Sequence, residues 1–202
     1  MLKLSDPKLV PFYRKMAELD VALLTHVGKE YAVEASGDQA LGNPLFLRGP
    51  LDSGVKVIAA HCASLGKSRD LDDPKQPKID NFDLFMRLMD EPRYDGLLFG
   101  EISAITQSNR LPDVLRELLD RPDLHHRLVN GSDYPLPAVN VLVSTRRLVR
   151  HGFITPSQRE ALNTIYEFNP LLFDFVLKRT VSHPDTGQKF ASSVFEGHPA
   201  LP

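Results

Sequence analysis

Three residues of the types that bind metals or move protons stand directly behind apolar runs. His26 follows Val21–Thr25, His61 follows Val55–Ala60, and Asp133 comes shortly after Arg127–Asn130. A fourth, Glu101, lies towards the end of the run Gly96–Ile102. Imidazole nitrogen and carboxylate oxygen are ligands that suit zinc, and a catalytic zinc keeps three protein ligands and one open position. There it can bring the pKa of a bound water near 7 and supply hydroxide at neutral pH. Each residue also has a plainer reading. A lone strand-end histidine is more often a hydrogen-bonded structural residue than a ligand. Asp133 can cap a following helix, and Gly131-Ser132-Asp133-Tyr134-Pro135 can be a turn and no more. Glu101 can face the rim or the packing of its strand. The single cysteine, Cys62, adjoins His61 but alternates to the other face of an extended strand, so it reads as buried and not as a nucleophile. His125, His126, His151, His183 and His198 fall on expected helix ends, loops or tail and read as solvated or helix-dipole residues.

The elements that must position these groups are legible from the apolar pattern. The four runs have the near-continuous apolar character of strands covered on both faces. Between them lie helical patterns: Leu9, Phe12, Tyr13, Met16 and Leu19 share one face, as do Phe82, Phe85, Met86 and Met89. Leu111, Val114, Leu115 and Leu118 form a third such face, and Val139, Leu142, Val143 and Val149 a fourth. Thr155-Pro156-Ser157-Gln158 is a capping-box start, and Asn169-Pro170 opens a helix that is apolar nearly all round and so is expected to be buried in a core or against a partner chain. Residues 181–202 read as a C-terminal tail behind a single domain of residues 1–180, with Ser182–Gly187 a loop and the last residues, Gly197-His198-Pro199 among them, weakly ordered. Lys67–Lys78, with mixed charge and two prolines, reads as a solvated loop, with a lid as the lesser alternative.

Alternating strands and helices imply a parallel sheet with right-handed crossovers. The strand ends recur about every 32 to 40 residues, the size of one unit of a (β/α)8 barrel, a fold of roughly 250 residues. Four units make half of one. The alternatives are a partial barrel or a small open doubly wound sheet, and in either the carboxyl ends of the strands carry the site.

The chain has 202 residues, 42% of them hydrophobic, and a formal net charge of -2. This near-neutral balance argues against a nucleic-acid partner, which calls for a basic patch or stripe. One cysteine forms no internal disulfide, no apolar run reaches the roughly 20 residues of a membrane span, and the first residues lack the regions of a signal peptide. A soluble cytoplasmic protein acting on a small molecule is the expectation.

Leu23–Glu30, then Val57–Cys62, then Leu128–Pro135 resemble the amidohydrolase superfamily, most closely its amidohydrolase-related (type 2) branch of metal-dependent hydrolases and decarboxylases. Gly131-Ser132-Asp133-Tyr134-Pro135 is the most telling piece, and the likeness spans about Pro11 to Arg179. The resemblance implies that the runs are strands five to eight of a (β/α)8 barrel, followed by C-terminal helices. It makes His26 a metal ligand. It makes His61 a catalytic group that polarises substrate or water, or holds a second metal. Asp133 becomes the residue that binds the metal and takes a proton from the water. Glu101 then falls on the seventh strand, where substrate contacts are made, and Glu30 joins it as a substrate residue. The family's first-strand His-x-His pair has no counterpart, since no histidine precedes His26. The chain is therefore expected to be the C-terminal half of such a barrel, truncated or completed by a homo-oligomer or complementing chain. The competing expectations are a non-catalytic fragment or assembly subunit and, last, an independent ligand-binding doubly wound domain, for which no Gly-x-Gly-x-x-Gly or P-loop speaks.

Overall fold

The computed structural model describes residues 2–29, 38–139 and 141–197. Contacts within the chain divide it into two compact units, Met1–Glu101 and Ile102–Glu196.

The first unit is built on a parallel sheet. Strands β1 (Leu23–His26), β2 (Val57–Ala60) and β5 (Leu98–Glu101) lie side by side in that order. Leu23 is in register with Val57, and Val57 with Leu98. Parallel neighbours need crossover connections. Between β1 and β2 the chain passes through the short helix α2 (Arg48–Leu51), and between β2 and β5 through α3 (Asn81–Met89). An N-terminal helix α1 (Val10–Glu18) precedes β1 and buries Tyr13 and Met16. α3 buries seven of its residues, Phe82 and Phe85 among them, as its sequence pattern requires.

β2 and β5 are buried as expected, but β1 is not. Leu24 is 64% exposed, and among the described residues β1 is an edge strand of the sheet. No barrel closes among the described residues.

Lys67–Lys78 is more ordered than a solvated loop. Its ends form an antiparallel hairpin, β3 (Lys67–Arg69) with β4 (Lys78–Asp80). Both terminal guanidinium nitrogens of Arg87 on α3 donate to the two carboxylate oxygens of Asp70, at 2.8 and 2.7 Å. Arg48 bonds Asp72 and Glu91 in turn. Two arginines thus tie the hairpin down, a long-range pairing that its own composition does not announce.

The second unit holds strand β6 (Leu128–Val129) and helices α4 (Asp113–Asp120), α5 (Thr145–Arg150), α6 (Pro156–Phe168) and α7 (Pro170–Thr180). The N–H of Ile102 donates to the Val129 carbonyl at 2.9 Å. The helix expected over Val139–Val149 is confined to α5, where Ser144 caps the Arg147 N–H. Pro135 and Pro137 lead into a separate 3-10 turn at Leu136–Ala138. α6 starts with the expected capping box, Thr155 and Gln158 bonding each other's backbone N–H.

α7 buries one face only. Phe173 and Leu177 are inside, whereas Leu171 and Leu172 are 43% and 47% exposed. The expected tail is packed over much of its length, with Val181, Phe190 and Val194 buried and the Asn130 N–H bonded to the Val194 carbonyl. His125 and His183 are likewise buried, not solvated. His125 bridges the Leu118 carbonyl and the Ala191 N–H, and His183 lies 3.1 Å from Asp120.

Candidate functional site

In the first unit the strand ends bring three titratable side chains together. His26 is the last residue of β1 and is in register with Ala60, so His61 stands one residue further along the neighbouring strand. The two imidazoles lie with ring centroids 5.4 Å apart, edge to face at 64°. Glu101 ends β5, the next strand.

Directly after β2 the chain does something that no extended strand does. His61, Cys62 and Ala63 have φ of 56°, 50° and 51°, so three consecutive non-glycine residues sit in the left-handed region. Such conformations cost about 1–3 kcal/mol each and persist only where the surroundings over-determine them. Here the surroundings do so. Glu101 accepts the His61 backbone N–H at 3.2 Å through Oε2, and Cys62 Sγ donates to the Glu101 carbonyl at 3.5 Å. The Ser64 N–H bonds the His61 carbonyl at 3.0 Å, and Cys62 and Ala63 are wholly buried. Cys62 is thus inside, as its residue type suggests, but in a turn and not on an extended strand.

The same Glu101 oxygen stands 3.6 Å from His61 Nδ1, and both side chains are largely covered, at 11% and 13% exposure. That separation is long for a hydrogen bond. It is short enough for the carboxylate to stabilise an imidazolium if His61 takes up a proton. The resemblance implies a substrate contact for Glu101; in the structure it accepts the His61 N–H.

The segment after β1 is fixed by a close backbone crossing. The Gly28 N–H donates to the Gly42 carbonyl at 2.7 Å, and a Cβ on Gly42 would collide with the Gly28 carbonyl oxygen. Glu30, the other expected substrate residue, lies outside the described residues.

Asp133 belongs to the second unit, on the loop after β6. Its φ is 55°, a left-handed conformation that a short polar side chain tolerates better than most. Its carbonyl accepts the Leu136 N–H at 2.9 Å, closing a turn. The 3-10 turn that follows has Pro135 at its cap position, so Asp133 does not cap it. Behind this loop stands a residue that the sequence pattern passes over. Lys178 is fully buried on α7, pairs with Asp174 at 2.6 Å and donates to the Gly131 carbonyl at 2.5 Å. A signal for it exists in the sequence, an Asp and a Lys four apart on an otherwise apolar helix.

Among the described residues no three His, Cys, Asp or Glu side chains gather in a group able to hold a metal ion. No helix among them is long and apolar enough to cross a membrane.

No family model matches the sequence, and no curated protein matches it. Among solved structures the chain is similar to the crystal structure of a proposed 2-pyrone-4,6-dicarboxylic acid hydrolase from Pseudomonas putida, with a TM-score of 0.41 and 17% identity. The similarity covers 67% of this chain and 44% of that one, so it spans less than half of that structure's length. A likeness of this degree fixes neither family nor activity.

Proposed function

We propose that this chain carries part of the site of a hydrolase of the amidohydrolase-related kind, with its strands belonging to a partial (β/α)8 barrel. The observation that supports this reading is the trio His26, His61 and Glu101 at the ends of three adjacent parallel strands, with Glu101 Oε2 bonded to the His61 N–H and 3.6 Å from its ring. In this reading His61 takes the proton of a water as the water adds to an ester, lactone or amide carbonyl. The carboxylate of Glu101 stabilises the imidazolium so formed, in the manner of the acid behind the histidine of a catalytic triad. His61 then returns the proton to the departing alkoxide or amine, which leaves acid and alcohol or amine as products. In this reading His26, whose ring lies edge-on to that of His61, donates to the developing oxyanion.

The resemblance would have His26 and Asp133 hold a zinc. Because the described residues do not gather a three-ligand group, no step is assigned to the metal. The test is hydrolysis of 4-nitrophenyl esters, aromatic lactones and anilides by the purified chain, before and after chelation and after restoring Zn2+ or Mn2+. Activity that falls about 100-fold in His61→Asn, with the circular dichroism spectrum unchanged, supports the reading. No hydrolysis under any metal condition, or an active His61→Asn, sinks it. Metal analysis of the same preparation decides the zinc separately.

One observation favours a second reading, an assembly subunit that works with another copy or a complementing chain. Leu24 on β1 and Val21 just before it are 64% and 46% exposed, and among the described residues β1 has a strand neighbour on one side only. Open edges of this kind pair with other chains. A stable monomer by light scattering across the micromolar range would exclude it.

A further inference from the structure

Behind α7, residues 182–196 run without a further α-helix or strand and end in a 3-10 turn at Ser192–Phe195. Asp185–Lys189 and Ala191–Ser193 are open to solvent, and Phe190 and Val194 are the buried apolar anchors of the far half. A segment with so few buried apolar groups belongs to the low-stability end of a fold. Two backbone hydrogen bonds fasten that half to the rest of the second unit. The Ala191 N–H donates to His125 Nδ1 at 3.2 Å, with Phe190 against the same ring at a centroid distance of 5.4 Å. The Val194 carbonyl accepts the Asn130 N–H at 2.9 Å, directly beyond β6. Phe195 stands edge to face on Phe175 of α7, with centroids 5.6 Å apart.

His125 makes this contact only while its ring is uncharged. It is 2% exposed, and its Nε2 lies 2.9 Å from the Leu118 carbonyl. A carbonyl only accepts, so Nε2 carries the hydrogen and Nδ1 is the acceptor for Ala191. A proton on Nδ1 sets two donors face to face. Little around the ring offsets such a charge. Asp123, on the same 3-10 helix (Pro122–Arg127), is already held by Arg121 through Nε and a terminal nitrogen, at 3.0 and 2.8 Å. The chain neighbours His126 and Arg127 are basic. On α4, Asp120 lies 3.1 Å from His183, and Asp113, Arg116 and Glu117 are exposed to water. Lys189, next to Phe190, adds a positive charge from the other side. Burial accordingly holds the His125 pKa below the ordinary histidine value, against the smaller pull of the Leu118 carbonyl and Asp123.

We propose that residues 188–196 are a strap latched by the neutral imidazole of His125, and that a proton on that ring releases it, uncovering the end of β6 and the ring of Phe175. The near end of the segment stays in place. The Ser182 N–H is bonded to the Phe153 carbonyl at 3.0 Å, and His183 Nδ1 accepts the N–H groups of Asp185 and Thr186, each at 3.2 Å. A proton on His183 is met by the carboxylate of Asp120, a partner that His125 lacks. The exposed stretch Asp185–Lys189, with Gly187 at its centre in the left-handed region, is then the hinge. Asn130 immediately precedes the loop that carries Asp133, so release frees the backbone at the root of that loop. The inference uses second-unit residues only and does not rest on the hydrolase reading.

The test follows the full 15N-labelled chain by NMR as pH is lowered from neutral, reading amide hydrogen exchange, corrected for its intrinsic pH dependence, together with the ring nitrogen signals of His125. Release takes up one proton. The opening constant is therefore expected to rise about tenfold per pH unit between about pH 6.5, where a free histidine titrates, and the lower value of the latched ring. That rise is expected at Ala191 and Asn130 and is absent at Val181 and Ser182, whose N–H groups bond the Leu177 and Phe153 carbonyls. The ring signals of His125 are expected to change from the neutral to the doubly protonated form over the same range. His125→Gln carries no titrating group, and exchange at Asn130 is expected to lose its pH dependence there. Opening constants at Ala191 and Asn130 that stay flat with pH, an equal rise at Ser182, a His125 ring that titrates without any change in exchange, or a rise that survives in His125→Gln overturns the inference.

Discussion

At the scale of single residues, Glu101 has a structural task that is separable from any chemical one. Its Oε2 is the acceptor for the His61 N–H inside a turn of three left-handed residues. Glu101→Ala leaves that donor without its acceptor and is expected to cost about 1–3 kcal/mol in urea denaturation. Glu101→Gln keeps an acceptor oxygen and is expected to lose less than about 1 kcal/mol, so the pair separates the hydrogen bond from the charge. His125 provides a second test. Burial holds its pKa below the ordinary histidine value, partly offset by the bond to the Leu118 carbonyl. With Nε2 donating to Leu118, Nδ1 must accept from the Ala191 N–H, so a proton on Nδ1 breaks that bond. The folded state therefore favours the neutral ring, while the unfolded chain takes up a proton near pH 6.5. Stability from this residue is complete above that value and declines as pH falls below it towards the lower folded value. A fall in Tm between pH 7 and 5 is expected, and His125→Gln should flatten it, as measured by differential scanning calorimetry.

At the scale of elements, the β3–β4 hairpin depends on charges brought from outside it. Asp70 is 5% exposed, and its bonds to Arg87 hold its carboxyl below the usual carboxylate range. Arg87→Ala strands that buried carboxylate and is expected to cost about 1–3 kcal/mol. Hydrogen exchange should show the loss concentrated in residues 67–80, because α3 keeps its buried apolar face while the hairpin loses its anchor. If exchange rises equally throughout α3, the clamp is not local to the hairpin. The contrast with α6 is instructive. Its start is written in four consecutive residues, and Thr155 and Gln158 form both bonds of the box as the pattern predicts. The hairpin is written in residues up to 43 apart, Arg48 and Glu91 among them, and no local window contains that information.

At the scale of the whole molecule, the exposed apolar residue on β1 sets an expectation about association. A central strand of a parallel sheet is covered on both faces, and β1, with one strand neighbour, is not. Light scattering of the chain alone is expected to show concentration-dependent association, and Leu24→Lys is expected to shift it towards monomer, since a lysine on an edge strand opposes pairing. Unchanged association in Leu24→Lys would place the contact elsewhere, for which the exposed Phe168, Leu171 and Leu172 are the next surface to test.

The sequence by itself determined the features that depend on near neighbours. Four apolar runs became four strands within a few residues of their expected bounds, His26 and Glu101 ended their strands, and His61 followed directly on its own. The capping box behaved the same way, because a hydrogen bond across three residues is specified by those residues. Tertiary structure decided what depends on distant partners. It turned His61–Ala63 left-handed on the strength of a carboxylate 40 residues away, a conformation that nothing in His-Cys-Ala predicts. It buried His125 and His183, read from the pattern as solvated or helix-dipole residues, and Lys178, which the pattern passes over, once carbonyl or carboxylate partners made burial tolerable. It also set Glu101 beside His61, through the register of β2 against β5. Strand ends are legible because they follow from local apolar runs; the contacts across them are not, because they follow from how the chain closes on itself.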